Sequence, residues 1–154
     1  MKEVGIIYNS MNVNAVDLAN KLHETISSSQ QMWINSSDDV QNLSEQIRNS
    51  DMIITVGGDG TILRVNRITS ECGVPILGIN MGRLGFMTEL TAEEALDKVE
   101  KYLSGSFRVE ERNMLQSTIS SESFSGDLGP HHALNDIVLA RGTSSRVVTI
   151  KVLV

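Results

Sequence analysis

Basic residues, cysteine and long apolar runs are all scarce in this chain, and each shortage removes a class of function. A single cysteine, Cys72, in 154 residues excludes an intramolecular disulfide framework and a four-cysteine zinc site. The apolar runs are only a few residues long, too short for any segment to cross a bilayer as a helix. Met1-Lys2-Glu3-Val4-Gly5 carries neither the apolar stretch nor the cleavage signal of a secretory peptide. Thirteen Lys and Arg against nineteen Asp and Glu leave a formal charge of -6, which offers no electrostatic footprint for general nucleic-acid binding. The expectation is a cytoplasmic protein with neither a nucleic acid nor a membrane as partner. A phosphate-bearing small molecule stays open, because backbone N–H groups hold anions whatever the net charge. What is present is ordinary: 40% apolar and 21% charged residues, enough for one domain of usual size or two small ones.

Hydrophobic spacing predicts a regular alternation of elements. Val4 to Tyr8 reads as a buried strand, with Asn9-Ser10 as a turn or cap pair. Ala15, Leu18, Ala19, Leu22 and Ile26 then recur at helical spacing. Met32 to Ile34 is a short strand and Val40 to Ile47 a second helix, followed by a strand from Met52 to Val56 that ends at Gly57-Gly58. Thr61 to Ile68 reads as helix and Pro75 to Ile79 as the next strand. Thr91-Ala92-Glu93-Glu94 fits a capping box, with Ala92, Ala95, Leu96, Val99 and Leu103 as the apolar stripe behind it and Gly105 as its stop. The order β-α-β-α-β-α-β-α implies a mostly parallel α/β sheet domain over residues 1–107.

Residues 108–154 read differently. Ser117 to Pro130 is rich in Ser and Gly, and Met114 to Ile119, Ala133 to Ala140 and Val147 to Val154 read as strands. This stretch is too short to build a core alone. The chain also stops inside an apolar run, so the expectation is the beginning of a truncated, β-rich second domain.

Three segments carry residues suited to chemistry. Gly57-Gly58-Asp59-Gly60-Thr61 lies where a strand meets a helix. Its glycines admit a ligand close to the backbone, and the helix start suits phosphate. The bland alternative is a tight turn whose Asp caps the helix, but a carboxylate beside phosphates repels them unless it holds a metal or contacts a hydroxyl. Arg64, one turn further on, either reaches an anion at the helix start or is an exposed arginine. In the second segment, Gly78 to Glu89, Phe86 either stacks on a base or anchors the core, and Arg83 either meets a phosphate or is solvated. In the third, Asn135-Asp136 opens an apolar strand, as a pair for two ribose hydroxyls or as a turn cap. Arg146 reads as a surface charge starting a strand. His131-His132 sits in a loop without a carboxylate or thiol at ligand spacing, so no metal site is expected there, and Cys72 reads as a small buried or loop residue.

G-G-D-G-T, N-M-G-R-L-G-F-M-T-E and A-L-N-D-I-V-L, in that order, together resemble the bacterial NAD kinase (ATP-NAD kinase) family. The resemblance implies an enzyme that moves a phosphoryl group from ATP to the 2′-hydroxyl of the adenosine ribose of NAD, giving NADP. It implies Asp59 as the base or positioner at that hydroxyl, and Gly57, Gly58, Gly60 and Thr61 as the phosphate loop. Asp59, Gly60, Arg64, Leu84, Gly85, Phe86, Asn135, Asp136 and Arg146 are implied to bind NAD, with Leu84, Gly85 and Phe86 lining the adenine side. Many members carry Glu where Asp136 stands. Magnesium or another divalent cation is implied on the ATP phosphates, with no metal held by the protein, and a dimer or tetramer at full length. The family's T-P-T-G-S-T-A-Y segment is absent, so 108–154 resembles part of the β-rich NAD-binding domain and the isolated chain is expected to turn over little. The alternatives are a non-catalytic nucleotide-binding module and a lipid or sugar kinase sharing G-G-D-G.

Overall fold

The computed structural model describes residues 3–27, 30–82, 85–120, 126, 129–140, 147 and 149–153, in two compact units, Met1–Glu110 and Glu111–Val154. In the first unit β1 (Glu3–Tyr8), β2 (Gln31–Ser36), β3 (Met52–Gly57), β4 (Ile76–Asn80) and a two-residue β5 (Leu90–Thr91) form one sheet in the order β2-β1-β3-β4-β5. Every pairing is parallel. The α/β reading therefore holds, and β5 is an addition that two residues are too few to announce.

Strand alternation sorts the core into two layers. Val4, Ile6, Met52, Ile54, Val56, Leu77 and Ile79 face α1 (Val13–Ile26) and α4 (Ala92–Leu103). Ile7 and Ile53, each next in its strand to one of those residues, face the opposite side against α2 (Ser44–Asn49) and α3 (Asp59–Cys72). With both faces covered, β3 is buried at every position, which is why it reads as an unbroken apolar run.

The caps explain most of the boundaries. Asn12, rather than Asn9-Ser10, caps α1, its side chain accepting from the Asn14 and Ala15 amides. The capping box at Thr91 and Glu94 forms, with the Thr91 N–H donating to Glu94 Oε2 at 3.2 Å. Behind it Ala95, Val99 and Leu103 are buried while Leu96 stays exposed. Gly105, at φ 81°, lies two residues beyond α4. Gly73 ends α3 in the left-handed region at φ 72°. There a Cβ costs conformational energy, so Gly73→Ala is expected to lower stability by about 1 kcal/mol in urea unfolding. An unchanged midpoint would mean that the turn relaxes.

Two expectations are corrected. Val40 to Ile47 is not one helix: a 3₁₀ segment over Ser37–Leu43 precedes α2. Ser36 starts the segment early by accepting from the Asp38 amide. Val40, Leu43 and Ile47 still face the sheet, because the spacing of three fits a 3₁₀ turn and the spacing of four an α turn. In the second unit only β6 (Leu115–Ser117) and β7 (His131–Ala133) are strands among the described residues, paired antiparallel. His131-His132, expected in a loop, are thus in a strand. Ile137, Val138, Leu139 and the described part of 147–153 form none and are exposed. Apolar sequence alone does not make a strand; a neighbouring backbone must take its N–H and C=O groups.

Candidate functional site at the carboxyl ends of β1 and β3

β1 hands the chain to α1 on one face of the sheet, and β3 hands it to α3 on the other. Between two such neighbours the connections diverge and leave a crevice at the strand ends, where open α/β sheets bind ligands. Asn9 and Gly57-Gly58 line this point, and the Asn9 N–H donates to Val56 O at 2.9 Å. The amides of Met81 and Glu89 close the adjoining turns on Gly57 O and Gly78 O, at 2.8 and 2.9 Å.

Gly58 is the N-cap of α3, and no side chain caps this helix. Thr61 and Ile62 donate back to Gly58 O at 2.9 and 3.4 Å. The amides of Asp59 and Gly60 have no carbonyl one turn back to meet, so they remain available to an anion. Gly57 is needed for close packing: a Cβ there would lie 3.0 Å from Thr61 Cβ and against Thr61 Oγ1. Thr61 itself is buried. No Cβ contact restricts Gly58 or Gly60, so their value lies in open backbone.

Asp59, the first residue of α3, does not cap its own helix. Its carboxylate accepts from the Phe86 N–H (Oδ2, 3.0 Å) and the Met87 N–H (Oδ1, 3.2 Å). The second glycine-rich segment is thereby tied to the first. Phe86 is 92% exposed, which removes the core-anchor alternative and leaves its ring facing solvent. Asn80, at the end of β4, shapes the approach by accepting from the Gly82 N–H at 3.2 Å and donating to Gly82 O at 3.3 Å.

Arg64 has a partner that neither sequence reading named. Its Nη1 donates to Asp38 Oδ1 at 2.7 Å and to Ser37 Oγ at 3.4 Å. Ser10 and Ser36 also donate to Asp38 Oδ2. The Ser10 hydroxyl and the Arg64 guanidinium hold the Asp38 carboxyl below the usual carboxylate range. Beside this pair Arg64, Arg67, Ser37, Asp38 and Gln41 border a shallow groove of about 280 Å³. Asn9, Ser10, Ser36 and Asp38 are the polar residues that sequence reasoning missed. Their only signal was a position at or just after the end of β1 or β2, and which strand ends lie side by side is not written in chain order.

Leu84, Arg83 and Arg146 lie outside the described residues. Asn135 and Asp136 belong to the second unit, both exposed, Asn135 in a bend after β7 and Asp136 directly after it, rather than opening a strand. No group of three His, Cys, Asp or Glu able to hold a metal occurs among the described residues. Nor is any helix among them long and apolar enough to cross a membrane.

Residues 17–107 match the model of the ATP-NAD kinase N-terminal domain. The chain is 38% identical over 152 residues to an NAD kinase of Dehalococcoides mccartyi, covering 98% of this chain and 53% of that protein. An NAD kinase of Laribacter hongkongensis is 44% identical over 104 residues, 68% of this chain and 35% of that one. The chain thus spans about half the length of such curated relatives, or less. Among solved structures, yeast NADH kinase complexed with NADH superposes with a TM-score of 0.70 at 19% identity, over 88% of this chain and 47% of that chain; at that identity the likeness speaks for the fold. An NAD kinase from Archaeoglobus fulgidus in complex with ATP gives a TM-score of 0.53 at 25% identity, over 75% and 40% of the two chains.

Proposed function

The chain belongs to the ATP-NAD kinase family, and on that premise we propose that it serves in phosphoryl transfer from ATP to the 2′-hydroxyl of the adenosine ribose of NAD, giving NADP. The observation that carries this reading is Asp59: a carboxylate at the uncapped start of α3, beside backbone N–H groups suited to phosphate. Phosphoryl transfer asks a protein for in-line positioning and charge neutralisation more than for covalent chemistry.

In this reading the 2′-hydroxyl donates to Asp59, whose carboxylate orients the attacking oxygen and receives its proton late in the transfer. Gly57, Gly58, Gly60 and Thr61 form the phosphate loop, with the free amides of α3 turned to anionic oxygen. Gly85 and Phe86, with Leu84, take the adenine side. Asn135 and Asp136 bind ribose hydroxyls, and Arg64 and Arg146 complete the NAD site. Arg64 then meets the ligand from its pairing with Asp38, which holds the guanidinium against the start of the 3₁₀ segment.

Magnesium is proposed on the ATP phosphates. There the nucleotide itself would largely hold the cation. A cytoplasmic location, diffusible nucleotides rather than nucleic acid or membrane as partners, and a homo-oligomer at full length belong to the same proposal. The acidic balance of -6 supports the choice of nucleotides over nucleic acid.

The test is NADP formation from NAD, ATP and magnesium by this chain and by a version extended to the relatives' length. The expected result is turnover in the extended protein and little in the 154 residues alone. Kinase-like turnover by the short chain would refute the second half. Silence in both, from folded protein that still binds NAD or ATP, would favour the non-catalytic binding module.

A further inference from the structure

Gly85 poses a question that binding of the base does not answer. Among the described residues the glycines with positive φ are Gly73, Gly105 and Gly129, and Gly85 is not one of them, so backbone freedom does not account for it. Close approach does. A Cβ at this position would lie 2.7 Å from Asp59 Cγ and 2.9 Å from Oδ2, and against Oδ1. The carboxylate occupies the space that any side chain at 85 would fill.

The next two residues use that proximity. The Phe86 and Met87 amides each donate to a different oxygen of Asp59, so the carboxylate is held at both ends and cannot turn freely about its last bond. An ionised carboxylate has about four acceptor positions; two amides leave room for a hydroxyl on each oxygen. Phe86 joins this device to the pocket, because its N–H donates to Asp59 while the residue as a whole is exposed. Anything that stacks on the ring restrains the same residue's amide.

We propose that Gly85–Met87 is a positioning element: its two amides aim the Asp59 carboxylate, and a base held on the Phe86 ring steadies that aim. The proposal rests on the reading of Asp59 as the group that meets the acceptor hydroxyl. It makes base binding part of the chemical step, since remote binding energy fixes the group at the reacting atom. A segment that merely lined the pocket would affect affinity alone.

Two measurements test it separately. The first is amide hydrogen exchange in the 154-residue chain. Asp59→Ala should speed exchange at both Phe86 and Met87 by about tenfold or more, the equivalent of losing a hydrogen bond to a charged group. Asp59→Asn, with one acceptor oxygen, should protect at most one of them. Unchanged exchange in Asp59→Ala overturns the proposal whatever the protein's activity.

The second is steady-state kinetics in the version extended to the relatives' length. Gly85→Ala is expected to lower kcat by about 100-fold, the cost of displacing a catalytic group by about an ångström, with the KM for ATP unchanged. Phe86→Ala should lower kcat as well as raise the KM for NAD. Met87→Pro, which removes one donor without a clash at 85, should lower kcat by about tenfold. A Gly85→Ala enzyme with full kcat and only a raised KM for NAD would overturn the proposal and leave 85–87 as pocket lining. No NADP from the unsubstituted extended protein would overturn the kinase reading instead, while the exchange result would still report whether the amides hold Asp59.

Discussion

Asp59→Asn is expected to lower NADP formation by about 10²- to 10⁴-fold in a protein extended to the relatives' length, the range that positioned acid–base groups contribute. The substitution keeps size and shape but removes the negative charge and one acceptor. Of the two amide bonds to 86 and 87, at most one survives, and the hydroxyl loses the acceptor that orients it. Binding of ATP through backbone N–H groups is expected to persist, because Gly58 and Gly60 are untouched. The loss should therefore fall on kcat, and a substituted protein within tenfold of the parent would refute a role for Asp59 at the reacting hydroxyl.

The largest effect on stability is expected at the centre of the sheet. Ile54 lies in β3, bonded in register to Ile6 of β1 and Leu77 of β4, and is fully buried under α1 and α4. Ile54→Ala deletes three carbons where two strands and two helices meet, so the gap cannot close by movement of one side chain. The expected loss is about 2–5 kcal/mol in urea unfolding, a large share of the roughly 5–15 kcal/mol that holds a domain folded. Leu96→Ala, on the exposed flank of α4, is the control and should cost less than about 1 kcal/mol. Equal losses at the two positions would mean that the core is not where the packing puts it.

Much of this was legible because it is local. The 3.6-residue spacing from Ala15 to Ile26 and the capping box at Thr91 each depend on residues within a few turns of one another, and both appear where expected. The glycine-rich loop after Met52–Val56 is equally local, and it does open a helix. The reading faltered where a partner lay elsewhere. The apolar run after Asn135-Asp136 suggested a strand, yet no neighbouring backbone takes up Ile137 to Leu139 among the described residues. Ser36 turned an expected α-helix into a 3₁₀ segment by a single hydrogen bond, too small a signal to outweigh the spacing of Val40, Leu43 and Ile47.

By itself, then, the sequence determined the alternation of strands and helices, the two glycine-rich loops at strand ends and the kinship with the ATP-NAD kinase family, since each is carried by residues close together or by motifs in fixed order. Only the tertiary structure decided that β1 lies beside β3, that Phe86 and Met87 hold Asp59 from 27 and 28 residues away, and that Arg64 pairs with Asp38 across 26. Those contacts exist because packing on the two faces of the sheet brings distant segments to one edge, and spacing along a chain does not encode which strand ends will meet.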